Sequence, residues 1–334
     1  MVWIEFIICA AMLIWAADLL SKYGDVLAVK TGLGRAWVGA ILIASITSLP
    51  ELASGISAVA WLKAPNLAAG AILGSCLFNL ALIAVMDVAY QPGRILSKAH
   101  HGHILSAGLG ILLLGMVAMG VLIGPQFNSF GLPGFSLLSL LILLIYAFGG
   151  RMISTIEQER QIEVLNESSQ AGNYANISTR KAYIIFGLCA LAVIGLGIWL
   201  ASIGDRISAS TGLSLSFVGN LFLATSTSLP EIAASLAAIR LGAIDMAIAN
   251  VLGSNLFNIA ILAIYDLADG RGNFWASLTS ANGFAAVMTM MMTGVVIISL
   301  VYRVTSKKDH RFSWDGISLS VMYLGAIILL YFIK

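Results

Sequence analysis

The sequence predicts an all-α polytopic membrane protein of ten transmembrane helices, arranged as two inverted five-helix repeats. Three observations predict it. Of 334 residues, 59% are hydrophobic and only 10% are charged, whereas soluble domains carry about 25% charged residues. Ten apolar stretches are long enough to cross a bilayer core, which takes about 20 residues per helix. The chain also repeats itself at an offset of 180 residues, with five stretches in each half.

The ten predicted spans are residues 3–21, 36–62, 66–90, 103–123, 135–155, 182–203, 216–239, 244–265, 284–302 and 314–333. The first begins almost at Met1 without a basic leader or a small-residue cleavage site, so it reads as a retained span. Strongly polar residues inside the spans gather in the second, third, seventh and eighth. With the N-terminus outside, 14 of the 18 Lys and Arg fall on the inner side and 4 on the outer. The positive-inside rule therefore puts both termini outside, in a cell membrane. Residues 157–181, with Glu157, Glu159, Glu163 and Glu167 among Ser, Asn and Gln, read as a cytoplasmic linker between a first repeat (1–156) and a second (182–334). The glycosylation-type triplets at Asn166 and Asn176 fall on that inner side and read as chance matches. The net charge of +2 and the absence of a basic stripe argue against nucleic acid as a partner. Cys9, Cys76 and Cys189 lack metal or disulfide spacing and read as small buried hydrophobes.

At the offset of 180, Gly24-Asp25 meets Gly204-Asp205, and Thr47-Ser48-Leu49-Pro50-Glu51 meets Thr227-Ser228-Leu229-Pro230-Glu231. With a one-residue slip, "GSCLFNLALIA" from Gly74 meets "GSNLFNIAILA" from Gly253. Five spans per half is an odd number, so the second half must cross in the opposite sense. Inverted repeats with polar, broken helices near the midplane are an architecture of secondary transporters.

On a helix, Ala44, Thr47, Ser48 and Glu51 share one face, as do Ala224, Thr227, Ser228 and Glu231. Pro50 and Pro230 cannot donate to the carbonyls of Ile46 and Ser226, which frees them to face a cavity. Ser75 and Asn79 are four apart, as are Ser254 and Asn258. No Lys or Arg accompanies the two Glu at mid-span. An unpaired charge there costs at least ~2.5–3.5 kcal/mol, so Glu51 and Glu231 must be protonated or face a cation. Oxygen-only donors select hard ions such as Na+, Ca2+ or Mg2+ over zinc or copper. Two carboxylates balance one divalent or two monovalent ions, an electrostatic basis for exchanging one load against the other. Any single Ser, Thr or Asn here serves equally well as helix–helix glue.

The two "TSLPE" blocks with "GSCLFN" and "GSNLFN" resemble the alpha repeats of the cation/Ca2+ exchanger superfamily, in its prokaryotic Na+/Ca2+ exchanger-like branch. The resemblance implies ten helices around four cation sites, with spans one and six sliding to switch access. It implies Glu51 and Glu231 as central Ca2+ and Na+ ligands, joined by the backbone carbonyls of Thr47 and Thr227. It further implies Ser48, Ser228, Ser75 and Ser254 in Na+ sites, backbone oxygens of Ala44 and Ala224 toward the ends, and Asn79 and Asn258 at the midplane. Two departures stand out. Asn258 occupies a position where many relatives carry Asp, which argues against K+ coupling. Cys76 replaces a commoner Asn, and a thiol is a poor ligand for a hard ion.

The expected function is a Na+-driven Ca2+ antiporter working by alternating access, with Ca2+ and Na+ as transported substrates, no cofactor, no enzymatic activity and the lipid bilayer as its medium. A cation/H+ exchanger using the same Glu pair is the alternative, and a passive cation channel a third. Protein partners are not legible. Asp25 and Asp205 read as turn residues after spans one and six, and His100, His101 and His103 as a solvated inner loop.

Overall fold

A computed structural model describes residues 1–31, 48–90, 94–127, 135–164, 178–240, 242–270, 274–302 and 313–333. The described residues form helices and no strand. In chain order the helices are α1 (Val2–Thr31), α2 (Leu49–Ala60), α3 (Pro65–Ala89), α4 (His103–Phe127), α5 (Leu137–Val164), α6 (Thr179–Thr211), α7 (Leu215–Thr227), α8 (Leu229–Arg240), α9 (Ile244–Asp269), α10 (Ser280–Val301) and α11 (Trp314–Phe332). One-turn helices at Ile95–Lys98 and Trp275–Ser277 lie in connections.

Among the described residues, seven helices (α1, α3, α4, α6, α9, α10 and α11) are long and apolar enough to cross a membrane. The pair α7 and α8, bent by 44° at its junction, makes an eighth if taken as one broken span. The helix α2 and the Leu137–Ile153 part of α5 are apolar but shorter. Most of the first half of the second predicted span, residues 36–47, lies outside the described residues, as do residues 165–177 of the polar stretch between the repeats.

Burial sorts the helices into a centre and a periphery. In α3 and α9, 78% and 72% of the apolar window is buried, against 22% in α1 and 28% in α6. The outer helices show Ile4, Ile7, Met12 and Trp15, or Leu188, Leu191 and Trp199, to the surroundings, as apolar solvent requires. Within this shell α1 lies along α6 and α6 along α2. Cys9 Sγ donates to the Leu196 carbonyl at 3.4 Å, and Glu5 and Arg206 form an ion pair near one end. All three cysteines are free and buried, as expected.

The central crossing depends on missing side chains. A Cβ on Gly70 would sit 2.5 Å from the Ser216 carbonyl oxygen, and one on Gly74 would sit 2.3 Å from that of Asn220. The backbones of α3 and α7 therefore touch, the close approach that small residues permit between membrane helices.

Two expectations are corrected. Asp25 and Asp205 lie inside α1 and α6, not in turns. The helices continue past the apolar stretches, and α6 ends only at Gly212, in the left-handed conformation (φ 73°) that closes a helix. The histidine loop is also not uniformly solvated. His100 and His101 are exposed, but His103 is buried and pairs with Asp245 at 3.0 Å.

Candidate functional site

In the second repeat the proline follows a 44° bend between α7 and α8, and in the first it lies in the opening turn of α2. Ser48 (φ −90°, ψ 13°) and Ser228 (φ −90°, ψ 5°) hold the same non-helical bridge conformation, with Pro50 and Pro230 in the first turn of α2 and α8. Proline suits a first turn because its φ is preset and its missing N–H has no partner to lose there. Upstream, α7 carries a π turn at Gly219–Leu223, a form that recurs at functional sites. Glu51 and Glu231 lie in the first turn of α2 and α8, each 1% exposed.

The halves meet at these breaks. The side chains of Thr227 and Ser228, from the second repeat, lie against the Glu51 carboxylate of the first. Neither reaches hydrogen-bond geometry, and both Glu51 carboxylate oxygens are without a hydrogen-bond partner among the described residues. Ser48, Ser75, Ser228 and Ser254 are fully buried, and none of their hydroxyls has a partner there either. The same holds for the side-chain oxygens of Asn79 and Asn258, each 1% exposed. A buried acceptor left unpaired costs about 1–3 kcal/mol, so these oxygens are suited to a donor or a cation.

Between α3 and α9 the amide of Asn255 knits the repeats. Asn79 Nδ2 donates to Asn255 Oδ1 at 3.0 Å, and Asn255 Nδ2 donates to the Cys76 carbonyl at 3.2 Å. The Cys76 thiol sits beside Asn258 and within electrostatic reach of Glu51, so the departure noted in the sequence falls at the same buried cluster. Helices α2, α3, α7 and α9 contain no Lys or Arg, and α8 has only Arg240, its last residue. No cluster of three or more His, Cys, Asp or Glu among the described residues could hold a metal. A cation beside Glu51 would meet a carboxylate and neutral oxygens, a donor mix suited to hard ions such as Na+ or Ca2+.

The structure thus gathers Glu51, Thr227, Ser228, Asn79 and Asn258, directly or through Cys76 and Asn255. Glu231 in α8, Ser48 at the start of α2, Ser75 in α3 and Ser254 in α9 are buried as well. Ala224 is buried one turn before Ser228. Thr47 and Ala44 lie outside the described residues.

Sequence reasoning missed three supporting side chains. Tyr265 Oη donates to the Glu51 carbonyl at 2.6 Å, and Ser54 Oγ donates to the same oxygen at 3.1 Å. In the other half, Asn250 Nδ2 donates to Ser235 Oγ at 3.0 Å and to the Glu231 carbonyl at 3.5 Å. Repeat matching cannot find Tyr265 or Asn250, because their partners at an offset of 179 are Met86 and Ala71.

Fold and site together define a helical membrane protein with an anionic, oxygen-lined centre where two homologous halves meet. Residues 1–150 and 181–332 match the family described as "Sodium/calcium exchanger protein", and the chain belongs to it. Cation/Ca2+ exchange is accordingly its class of activity. An uncharacterized membrane protein of Methanocaldococcus jannaschii is 25% identical over 323 residues, covering 96% of this chain and 95% of that protein. The structure of the sodium-calcium exchanger NCX_Mj is similar over 98% of this chain and 99% of that one, with a TM-score of 0.60 at 22% identity. The H+/Ca2+ exchanger CAX is similar over 99% of this chain and 85% of that one, with a TM-score of 0.70 at 11% identity. At these identities the two structures speak for the fold alone.

Proposed function

We propose that this protein is a Na+-driven Ca2+ antiporter working by alternating access, with two inverted five-helix repeats (1–156 and 182–334) joined by a cytoplasmic linker (157–181) and both termini outside. Glu51 and Glu231 are its shared ligands for Ca2+ and Na+. Thr47, Thr227, Ser48, Ser228, Ser75, Ser254, Ala44 and Ala224 supply neutral oxygens, and Asn79 and Asn258 the midplane amides. The observation that carries this reading is the pair of buried glutamates, each in the first turn of a helix that opens with proline, among oxygens on helices that bring no lysine or arginine to mid-span.

Two carboxylates neutralise one Ca2+ or two Na+, so either load restores the same charge and the two compete. Removing one load uncovers carboxylates that the bilayer interior penalises, which couples departure of one ion to arrival of the other. The peripheral pair α1 and α6, tied to each other by Cys9–Leu196 and Glu5–Arg206, is suited to sliding as a unit past α2.

The test is Ca2+ uptake into proteoliposomes with internal Na+, K+ or choline at fixed pH, repeated with a pH gradient and no Na+. Uptake only with internal Na+ supports the proposal. Uptake driven by the pH gradient alone makes the proton the coupling ion. Flux that neither saturates nor shows counterflow makes the protein a channel.

A further inference from the structure

A second group of open oxygens lies away from the glutamates, where α3, α7 and α10 meet. Asn66 Nδ2 donates to the Ser277 carbonyl at 3.0 Å, and Asn66 Oδ1 accepts from Thr279 N at 2.8 Å. Two backbone groups therefore fix which end of the Asn66 amide is oxygen. Asn282 Nδ2 donates to that oxygen at 2.8 Å and to Ser216 Oγ at 3.3 Å, so its own Oδ1 is fixed as well. Asn220 Nδ2 donates to the Ser216 carbonyl at 2.8 Å, which fixes the third amide. Ser216 Oγ in turn shares a hydrogen bond of 2.9 Å with Thr279 Oγ1.

After this accounting, Asn220 Oδ1 and Asn282 Oδ1 remain without a partner among the described residues, although both side chains are fully buried. Two amides hung from the two oxygens of one serine leave their acceptors bare, and only a donor or a cation can satisfy them. Asn220 lies in the π turn of α7, and its backbone abuts Gly74, next to Ser75. Residues 216, 220, 224 and 227 follow one stripe toward Glu51, with Asn220 about 10 Å along the axis from Thr227 at 1.5 Å per residue. At an offset of 180 the first repeat has Ala36 and Ala40 in place of Ser216 and Asn220, so the sequence does not repeat this polar pair.

We propose that Asn220 and Asn282 form a transit site for a partly dehydrated monovalent cation of the Na+ class, on the approach to the central glutamates from the α3–α7–α10 end. The inference rests on the exchanger reading for its role as a transit site. The lining is neutral, so it offers a divalent ion too little to shed its hydration shell. Neutral oxygens do suffice for a monovalent ion, as in carbonyl-lined filters.

The test uses the full-length chain and Na+ itself, with choline as the control salt. The Na+ concentration giving half-maximal exchange is measured on each membrane face, and the Na+ midpoint for raising Tm is measured on the purified protein, since a bound ion stabilises the folded state. Asn220→Ala, the residue the first repeat carries, should raise both Na+ midpoints at least threefold. The kinetic effect should appear on one face, and the Ca2+ midpoint should move less. Asn220→Asp, which keeps an oxygen and adds charge, should lower the Na+ midpoints. Unchanged midpoints in Asn220→Ala mean a trapped water only and overturn the proposal, as does a wild-type Tm indifferent to Na+. Wild-type Ca2+ flux indifferent to Na+, with a Tm shift that Asn220→Ala weakens, overturns the exchanger reading and leaves the site standing.

Discussion

Glu51 and Glu231 occupy equivalent places in the two repeats, yet their backbones are held differently. The Glu51 carbonyl receives a phenol from α9 at 2.6 Å and the Ser54 hydroxyl at 3.1 Å, with Gly55 leaving room for the ring. The Glu231 carbonyl receives the Asn250 amide at the longer distance of 3.5 Å, and Ser235 stands where the first repeat has Gly55. A tight clamp thus faces a loose one across a duplicated frame. Duplication fixed the carboxylates and the break before each of them, while later divergence went into how firmly each break is anchored.

The largest test of that contrast removes the carboxylates themselves. Withdrawing one charge from a buried ion site costs at least ~3 kcal/mol, so Glu51→Gln and Glu231→Gln should each lower Ca2+ flux in proteoliposomes by about a hundredfold or more. Both variants should still elute as folded protein, and robust Na+-dependent uptake by either would contradict their shared role.

Next comes the packing under the tight clamp. A Cβ on Gly55 would lie 1.8 Å from Tyr265 Oη, inside the ring's own volume. Gly55→Ala should therefore cost about 1–3 kcal/mol or more by overpacking, read as a lower Tm. Ser235→Ala, at the equivalent place, loses only one hydrogen bond and should cost about 1 kcal/mol. Equal Tm losses would erase the asymmetry.

A comparable effect is expected where the halves are knitted. Asn255→Ala strands Asn79 Nδ2 and removes the second hydrogen bond of the Cys76 carbonyl, which keeps its helical partner; the stranded group costs about 1–3 kcal/mol, and flux should fall roughly tenfold. The smallest effects separate the clamps directly. Tyr265→Phe keeps the ring and loses a bond worth about 1 kcal/mol, which predicts a Ca2+ midpoint about fivefold higher. Asn250→Ala should shift it by less than about twofold, because a contact of 3.5 Å contributes little. A larger shift from Asn250→Ala than from Tyr265→Phe would reverse the assignment.

Much of the site was legible because charge in a bilayer is expensive. Glu51 and Glu231 stood out against apolar flanks, and the repeat supplied Thr227, Ser228, Asn79 and Asn258 by position. The helix breaks were half legible. Proline marked the places, but whether a chain kinks or restarts depends on the conformation at Ser48 and Ser228, which no spacing rule reveals. The lengths of α1 and α6 were misread because hydropathy ends where lipid ends, while hydrogen bonding along the helix carries Asp25 and Asp205 onward. Tyr265 and Asn250 were invisible for the opposite reason: each acts on a main-chain oxygen of the other helix, and repeat comparison detects only what both halves share.

The connections into α4 and α10 carry a last likeness. Thr279 N and Asn282 Nδ2 both bond to Asn66 Oδ1, while His100 N and His103 Nε2 both meet Asp245 Oδ1, at 2.7 and 3.0 Å. Each of these residues has its counterpart 179 positions away, so one latch was copied whole, once with an amide and once with a carboxylate. An uncharged group therefore suffices to moor such a loop, and the molecule furnishes its own matched control for asking what the acidic copy adds.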